Sequence, residues 1–134
     1  MNPKHHTSLK IAKQLVEAGI VIESEYGWYQ HPETGEAYIS IGDAVVHLEI
    51  EGYVFVANAP IATEILERLP DYITQDEFLY SLQIRTNWSS ADQTNKWVAC
   101  YWFAGTKYLA IEKAPNLPDA LALLLIRLTK DGLI

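Results

Sequence analysis

The sequence predicts an α+β domain, in which a mainly antiparallel sheet of about five to seven strands is packed by N-terminal, middle and C-terminal helices. Apolar residues recur at helical spacing near both ends of the chain and near its middle. Between these stretches they alternate with polar residues, and Gly, Pro, Asn and Asp separate the segments. With 134 residues, 49 % of them apolar, the chain fits one domain over 1–134, and residues 1–6 are expected to be frayed.

The first element is an amphipathic helix, which Thr7 or Ser8 can cap and Gly19 can end. Its apolar stripe consists of Leu9, Ala12, Leu15 and Val16. The apolar period then changes to two, which predicts short strands joined by turns. These strands are expected at 26–31, 36–41, 45–50 and 53–57.

A middle helix is predicted over residues 60–69, because Pro60 suits its first turn and Pro70 ends it. Further strands are predicted at 78–85, 96–104 and 107–112, with a loop over 87–95. Asn116 caps the last helix and Gly132 stops it. Leucines cover more than one face of this helix, so it should be largely buried.

The charge of the chain is acidic and unevenly distributed. The formal net charge is −7, and residues 14–84 contain thirteen Asp and Glu against one base, Arg68. Such a surface repels phosphate backbones, so direct nucleic-acid binding is disfavoured, while imitation of nucleic acid toward a basic partner stays open. The first ten residues contain no apolar h-region, so we expect no signal peptide, and the run Ala120–Ile126 is too short to span a bilayer. We therefore expect a cytoplasmic protein with no membrane partner.

The segment KWVACYWFAG, residues 96–105, contains the only cysteine and four aromatic residues. Stacking of bases would need basic residues beside the aromatics, and a reactive thiol would need a nearby base or cation. The strand offers only Lys96 and Lys107 at its edges, and no charge stands close to Cys100 in sequence, so a central strand with an inert core cysteine is favoured. This interpretation predicts that Val98, Cys100 and Trp102 are almost fully buried.

Motifs for catalysis, metals and cofactors are absent from the sequence, so no enzyme activity and no cofactor are predicted. The four histidines do not form a zinc pattern, although His31 with Glu33 and Glu36 could bind a metal weakly. No phosphate loop or serine-nucleophile elbow occurs. An unrecognised hydrolase site using Asp71, Asp76 or His31 remains an alternative, and it requires a pocket that gathers at least two of them.

Aromatic and acidic residues of the hairpins are the candidate binding residues. An exposed Trp–Tyr pair would anchor a partner or a flat ligand, whereas packing on the sheet is the competing interpretation. The candidate binding residues are Tyr26, Trp28, Tyr29, His31 and Trp88. The candidate acidic surface consists of Glu33, Glu36, Glu49 and Glu51.

Three segments, Ile11–Gln30, Phe55–Pro70 and Leu117–Ile134, carry a resemblance to a known group of proteins. With their Trp/Tyr strand, APIATEILERLP helix and leucine-rich closing helix, they resemble small proteins encoded by tailed bacteriophages and prophages. The matching positions are mostly structural, and the group has no catalytic residues to carry over. The resemblance implies a phage or prophage origin and an accessory role in the bacterial cytoplasm.

Together these features favour a non-enzymatic binding module that holds a protein partner or a small ligand, as a monomer or a homodimer. One alternative is an acidic inhibitor that imitates nucleic acid and blocks a host defence protein. The other is the small hydrolase described above. The acidic inhibitor predicts that neutralising the four glutamates together abolishes binding to a basic partner, and unchanged binding would contradict it.

Overall fold

The residues that the structure describes form seven strands and four α-helices, which confirms the α+β class. The computed structural model describes residues 2–41, 45–87, 95–104 and 107–134. The helices are α1 (Leu9–Glu17), α2 (Val45–Ile50), α3 (Ala62–Leu66) and α4 (Leu117–Lys130). The strands are β1 (Tyr26–Gln30), β2 (Ala37–Ile41), β3 (Val54–Asn58), β4 (Tyr72–Gln75), β5 (Phe78–Thr86), β6 (Trp97–Phe103) and β7 (Lys107–Ala114).

The strands form two antiparallel sheets instead of one. The first sheet has the order β2-β1-β3 and the second the order β4-β5-β6-β7. The chain passes from one sheet to the other through α3, which Pro60 and Pro70 bracket. Since proline cannot donate a ladder hydrogen bond, the two prolines favour a break in strand pairing at this place.

Residues 45–50 were expected to form a strand, and this prediction is wrong because they form α2. A short apolar run fits a helix or a strand equally well, and here the residues that follow the run favour the helix. Gly52 has a φ of 94°, and the N–H of Tyr53 donates to the carbonyl of Leu48 at 2.9 Å. These features close the last helical turn in the manner of a glycine C-cap.

The sequence prediction missed β4, which pairs with β5 through a two-residue turn. Asp76 and Glu77 both have positive φ, at 53° and 71°. Two-residue hairpin turns with positive φ at both positions usually contain Asn-Gly or Asp-Gly, so an Asp-Glu pair gives little warning of one.

The main core lies between α4 and the four-stranded sheet. Leu121, Leu124 and Leu128 of α4 are fully buried, together with Tyr101 of β6. The burial predicted for this helix is thus confirmed. A second, smaller cluster lies under the three-stranded sheet and contains Ala12, Trp28, Ala57 and Ala59. Helix α1 joins the two clusters, because Ile11 and Leu15 enter the main core while Ala12 enters the second.

The N-terminal residues, expected to be frayed, are held against the body of the protein. Pro3–His5 form a short 3₁₀ helix, and His6 is buried. The N–H of Thr7 donates to the carbonyl of Pro60 at 3.0 Å. The contacts of His6 and Thr7 anchor the end of this segment, whereas Asn2 to His5 are exposed.

The strand that contains the cysteine is internal, since β6 pairs with β5 on one side and β7 on the other. Val98 and Cys100 are buried, in agreement with the prediction, and burial raises the pKa of the Cys100 thiol. Trp102 is only half-buried, so this part of the prediction is wrong. It follows a break in the register of β6 and β7, and its ring lies beside Tyr108 at the end of the strand.

Candidate functional site

Three aromatic side chains form a row across the three-stranded sheet, one on each strand. The register places Tyr29 of β1 opposite Tyr38 of β2 and also opposite Phe55 of β3. The rings of Tyr29 and Phe55 meet edge to face with centroids 5.6 Å apart. Tyr38 is 50 % exposed and Phe55 55 %. We call this row, together with the neighbouring Tyr53, the aromatic face.

A β-bulge at Val56 places Phe55 on the aromatic face. On β3, Ala57 pairs with Trp28, and the next pair is Phe55 with Tyr29, so Val56 is an extra residue between them. Residues two apart in a regular strand share a face. A bulge adds one residue between two pairs, so the residues that flank it point to opposite faces. Ala57 can therefore lie with Trp28 in the core while Phe55 meets Tyr29 on the opposite face.

Gly27 of β1 makes room for the aromatic rings. A Cβ at this position would lie 3.0 Å from Cε2 of Phe55 and 3.3 Å from Cε2 of Tyr29. Any side chain at residue 27 would have to displace one or both rings. Close approach of another group is a common reason for a glycine inside a strand.

Tyr53 links the aromatic face to a carboxylate and a histidine. Its hydroxyl donates to Oε2 of Glu36 at 2.9 Å, and its ring lies 5.5 Å from that of Tyr38 and 5.3 Å from that of His31. Burial of the phenol, reinforced by the bond to Glu36, raises the pKa of Tyr53 to about 12. Tyr53 therefore stays neutral at physiological pH and keeps donating to the carboxylate.

Two carboxylates, those of Glu36 and Glu49, lie close to the aromatic face, and the segment that carries it contains no Lys or Arg. Residues 26–58 contain five Asp and Glu and no Lys or Arg. Burial raises the pKa of Tyr29, and the nearby charge of Glu49 raises it further. Glu33 and Glu51 are exposed, as are Glu36 and Glu49. The arrangement attracts cations and offers them both ring faces and carboxylates.

The candidate residues from the sequence divide between two places. Tyr29 and His31 lie at the aromatic face, with Glu36 and Glu49 close to it. Trp28 instead packs inward, and Tyr26 lies partly buried beside the second cluster. The ring of Tyr26 contacts His6 at 4.6 Å, and Nε1 of Trp28 donates to the Thr7 carbonyl at 2.8 Å. Trp88 lies outside the described residues.

Sequence reasoning missed Tyr38, Tyr53 and Phe55. A signal for Tyr38 was present, because the register of a hairpin over 26–31 and 36–41 places it across from Tyr29. Phe55 gave no such signal, since its face depends on the bulge.

The imidazole of His31 accepts hydrogen bonds from the backbone of its own turn. Its Nδ1 accepts the N–H of Glu33 at 3.2 Å and that of Thr34 at 3.3 Å. Within the described ranges, no group of three or more His, Cys, Asp and Glu side chains is placed to hold a metal ion. The structure thus gives the His31 ring a turn-stabilising role.

Two clefts open elsewhere on the described surface. The larger, of about 860 Å³, lies between the N-terminal segment, the start of α3 and the start of α4. The smaller, of about 270 Å³, lies between α1 and β3 and has mainly apolar walls. Asp71, Asp76 and His31 line neither of them, so the geometry offers no support for the hydrolase alternative.

No known protein family, curated protein or solved structure matches the chain. In the described part of the chain, no helix combines the length and apolar character needed to cross a membrane. The interpretation of the site therefore depends on its geometry and charge.

Proposed function

We propose that this protein is a non-enzymatic binding module, and that its aromatic face holds a basic segment of a partner protein. The observation that supports this most is the combination of exposed rings with carboxylates in a segment free of Lys and Arg. Arginine suits such a surface best, because its planar guanidinium stacks on aromatic rings and pairs with carboxylates. Exposed aromatic side chains are also frequent anchors of protein interfaces.

The acidic inhibitor is the second candidate, and it uses the same glutamates in a different way. An imitation of nucleic acid would act through the spacing of its charges alone, so the rings would contribute little. The exposed rings of Tyr38 and Phe55 favour the first proposal over this one, because exposed aromatics contribute stacking that a charge mimic does not need.

Binding of labelled octa-arginine and octa-lysine peptides, followed by fluorescence anisotropy, tests the proposal. We expect the arginine peptide to bind about threefold to tenfold more tightly, since cation–π contacts favour Arg. Tyr38→Ala with Phe55→Ala should remove this preference. Neutralising Glu33, Glu36, Glu49 and Glu51 with Gln should weaken both peptides.

Matched controls come from exposed residues away from the aromatic face. Tyr72→Ala with Leu79→Ala removes two exposed apolar side chains of the other sheet. Neutralising Glu17, Glu67, Asp76 and Glu77 with Gln or Asn removes four exposed charges away from the aromatic face. An arginine preference that survives the loss of Tyr38 and Phe55 would favour the acidic inhibitor. Equal losses in the control and test variants would contradict both candidates.

The resemblance to phage and prophage proteins supports a further proposal, that the module acts in the bacterial cytoplasm as an accessory protein. Fractionation of bacteria that express the chain should recover it with the cytosolic proteins. Recovery in the membrane pellet would contradict this location.

A further inference from the structure

The larger cleft differs in charge from the rest of the protein. The chain has a net charge of −7, yet the described lining of this cleft contains Lys4 and Lys96 and no Asp or Glu. Two histidines, His5 and His6, also line it. Cations lining a concave site focus a positive potential there, so the cleft attracts anions although the whole molecule repels them.

The walls of the cleft are largely apolar and come from separate parts of the chain. Tyr26 of β1 and Trp97 of β6 supply aromatic surface, while Ile61, Leu117 and Pro118 supply aliphatic surface. The volume of about 860 Å³ falls within the range of sites that hold small organic molecules, about 300–1,000 Å³. Apolar walls with a few charged groups favour a ligand with an apolar body and an anionic group.

His6 is a buried polar group of this cleft with a fixed orientation. It is only 3 % exposed, its Nδ1 lies 3.0 Å from the carbonyl oxygen of Ala59, and its ring contacts Tyr26. Because a carbonyl oxygen can only accept, Nδ1 must carry the hydrogen. The other ring nitrogen, Nε2, is then the one that can meet a ligand, as an acceptor.

Two carboxylates, those of Asp119 and Glu64, lie next to the cleft without forming part of its described lining, and Glu64 accepts the N–H of Ile61 at 2.9 Å. Asp119 follows Leu117 and Pro118 in the first turn of α4, but it is 6 % exposed and does not line the cleft. Its carboxylate accepts the N–H of Ser8 at 2.7 Å. This bond turns the acidic group toward α1 and helps hold the N-terminal wall of the cleft in place.

We propose that this cleft is a second binding site, which takes a small organic anion with an aromatic or aliphatic body. Lys4 and Lys96 supply the charge, and Tyr26 and Trp97 supply the surface for the apolar body. The site is separate from the aromatic face, and its test does not depend on the function proposed for that face.

A pair of matched fluorescent probes tests the proposal on the full chain. Anilinonaphthalene sulfonate is an aromatic anion, and phenylnaphthylamine has the same ring system without the sulfonate. We expect the anion to bind at one site per chain and about tenfold more tightly than the neutral probe. Lys4→Gln with Lys96→Gln should remove most of this difference and leave the neutral probe unchanged.

Two further variants show where the probes bind. Lys113→Gln with Lys130→Gln makes the same change in net charge at exposed residues outside the cleft, and it should leave the preference intact. Thr63→Trp places a large ring at an exposed position of the cleft and should abolish binding of both probes. An unchanged unfolding midpoint for each variant shows that its fold is preserved.

Three outcomes would overturn the proposal. The first is equal affinity for the two probes, and the second is an equal effect of the two double lysine variants. The third is unchanged binding in Thr63→Trp, which would place the probes elsewhere.

Discussion

The carboxylate of Asp119 accepts the backbone N–H of Ser8 at 2.7 Å and so joins the first turn of α4 to the N-cap of α1. The side chain of Asn116 accepts the N–H of Asp119 at 2.8 Å. These two hydrogen bonds connect the starts of two helices that are far apart in sequence. They lie beside the N-terminal wall of the larger cleft.

Loss of the Asp119 carboxylate should destabilise the protein. We expect Asp119→Ala to lower the free energy of unfolding by about 1–3 kcal/mol, because the N–H of Ser8 loses its acceptor in a partly buried place. Asp119→Asn keeps an oxygen acceptor and should cost less. Urea unfolding of both variants at neutral pH measures the difference, and equal losses would contradict a role for the hydrogen bond.

The same carboxyl should contribute to the pH dependence of stability. Burial raises the pKa of Asp119 above its ordinary value of 3.8, although its contacts with Ser8 and Asn116 act in the opposite direction. The folded state therefore holds this proton more tightly than the unfolded state does. Its contribution is fully present below pH 3.8 and is lost as the pH rises through the folded pKa. The free energy of unfolding of the wild type, minus that of Asp119→Asn, should fall as the pH is raised from 3.8.

Tyr53 should affect stability at alkaline pH. Its pKa is raised from 10.0 to about 12, so the folded state retains a proton that the unfolded chain loses first. Stability from this group is present below pH 10 and is lost as the pH rises toward 12. Denaturant unfolding across this range should show a steeper loss for the wild type than for Tyr53→Phe. Identical slopes would contradict the raised pKa.

Trp28 should be a stabilising anchor of the three-stranded sheet. Trp28→Phe removes the indole N–H that donates to the Thr7 carbonyl, and it also leaves space beside Ala12 and Ala57. We expect a loss of about 2–4 kcal/mol in the free energy of unfolding, from the unsatisfied carbonyl and the smaller ring together. Trp102→Phe is the control and should cost less, because Trp102 is half-buried.

Cys100 should be unreactive in the folded protein. Its side chain is fully buried, and burial raises the pKa of its thiol, so little thiolate is present at neutral pH. Dithionitrobenzoate should label it slowly in the native state and completely in guanidinium chloride. Rapid labelling of the native protein would show that β6 is accessible.

Long elements with strong end signals were predictable from the sequence. Helix α4 has the capping side chain of Asn116 at its start, a φ of 71° at Gly132 after its end, and leucines on most of its surface. Each signal acts locally, so a single sequence is enough to identify it. The six residues of α2 carry the same types of apolar residue in too short a run to separate helix from strand.

The candidate sites were predictable only in part, because their residues meet through tertiary structure. Tyr29 and His31 could be selected because they belong to the predicted hairpin. Their neighbour Tyr53 follows α2 in sequence, so its contact with His31 depends on how the chain folds back. The larger cleft brings Lys4 close to Lys96, and composition cannot show that these cations share a concavity. Long-range proximity of this kind depends on how the two sheets and α4 pack.

The extra residue in β3 makes one position of this strand tolerant of a change in length. Deletion of Val56 would make Phe55 and Ala57 direct neighbours, and direct neighbours in a regular strand point to opposite faces. Phe55 would then stay opposite Tyr29, and Ala57 would stay opposite Trp28. Loss of a codon elsewhere in β3 would instead turn the side chains beyond it to the other face, so the bulge is the place where this strand can change its length by one residue.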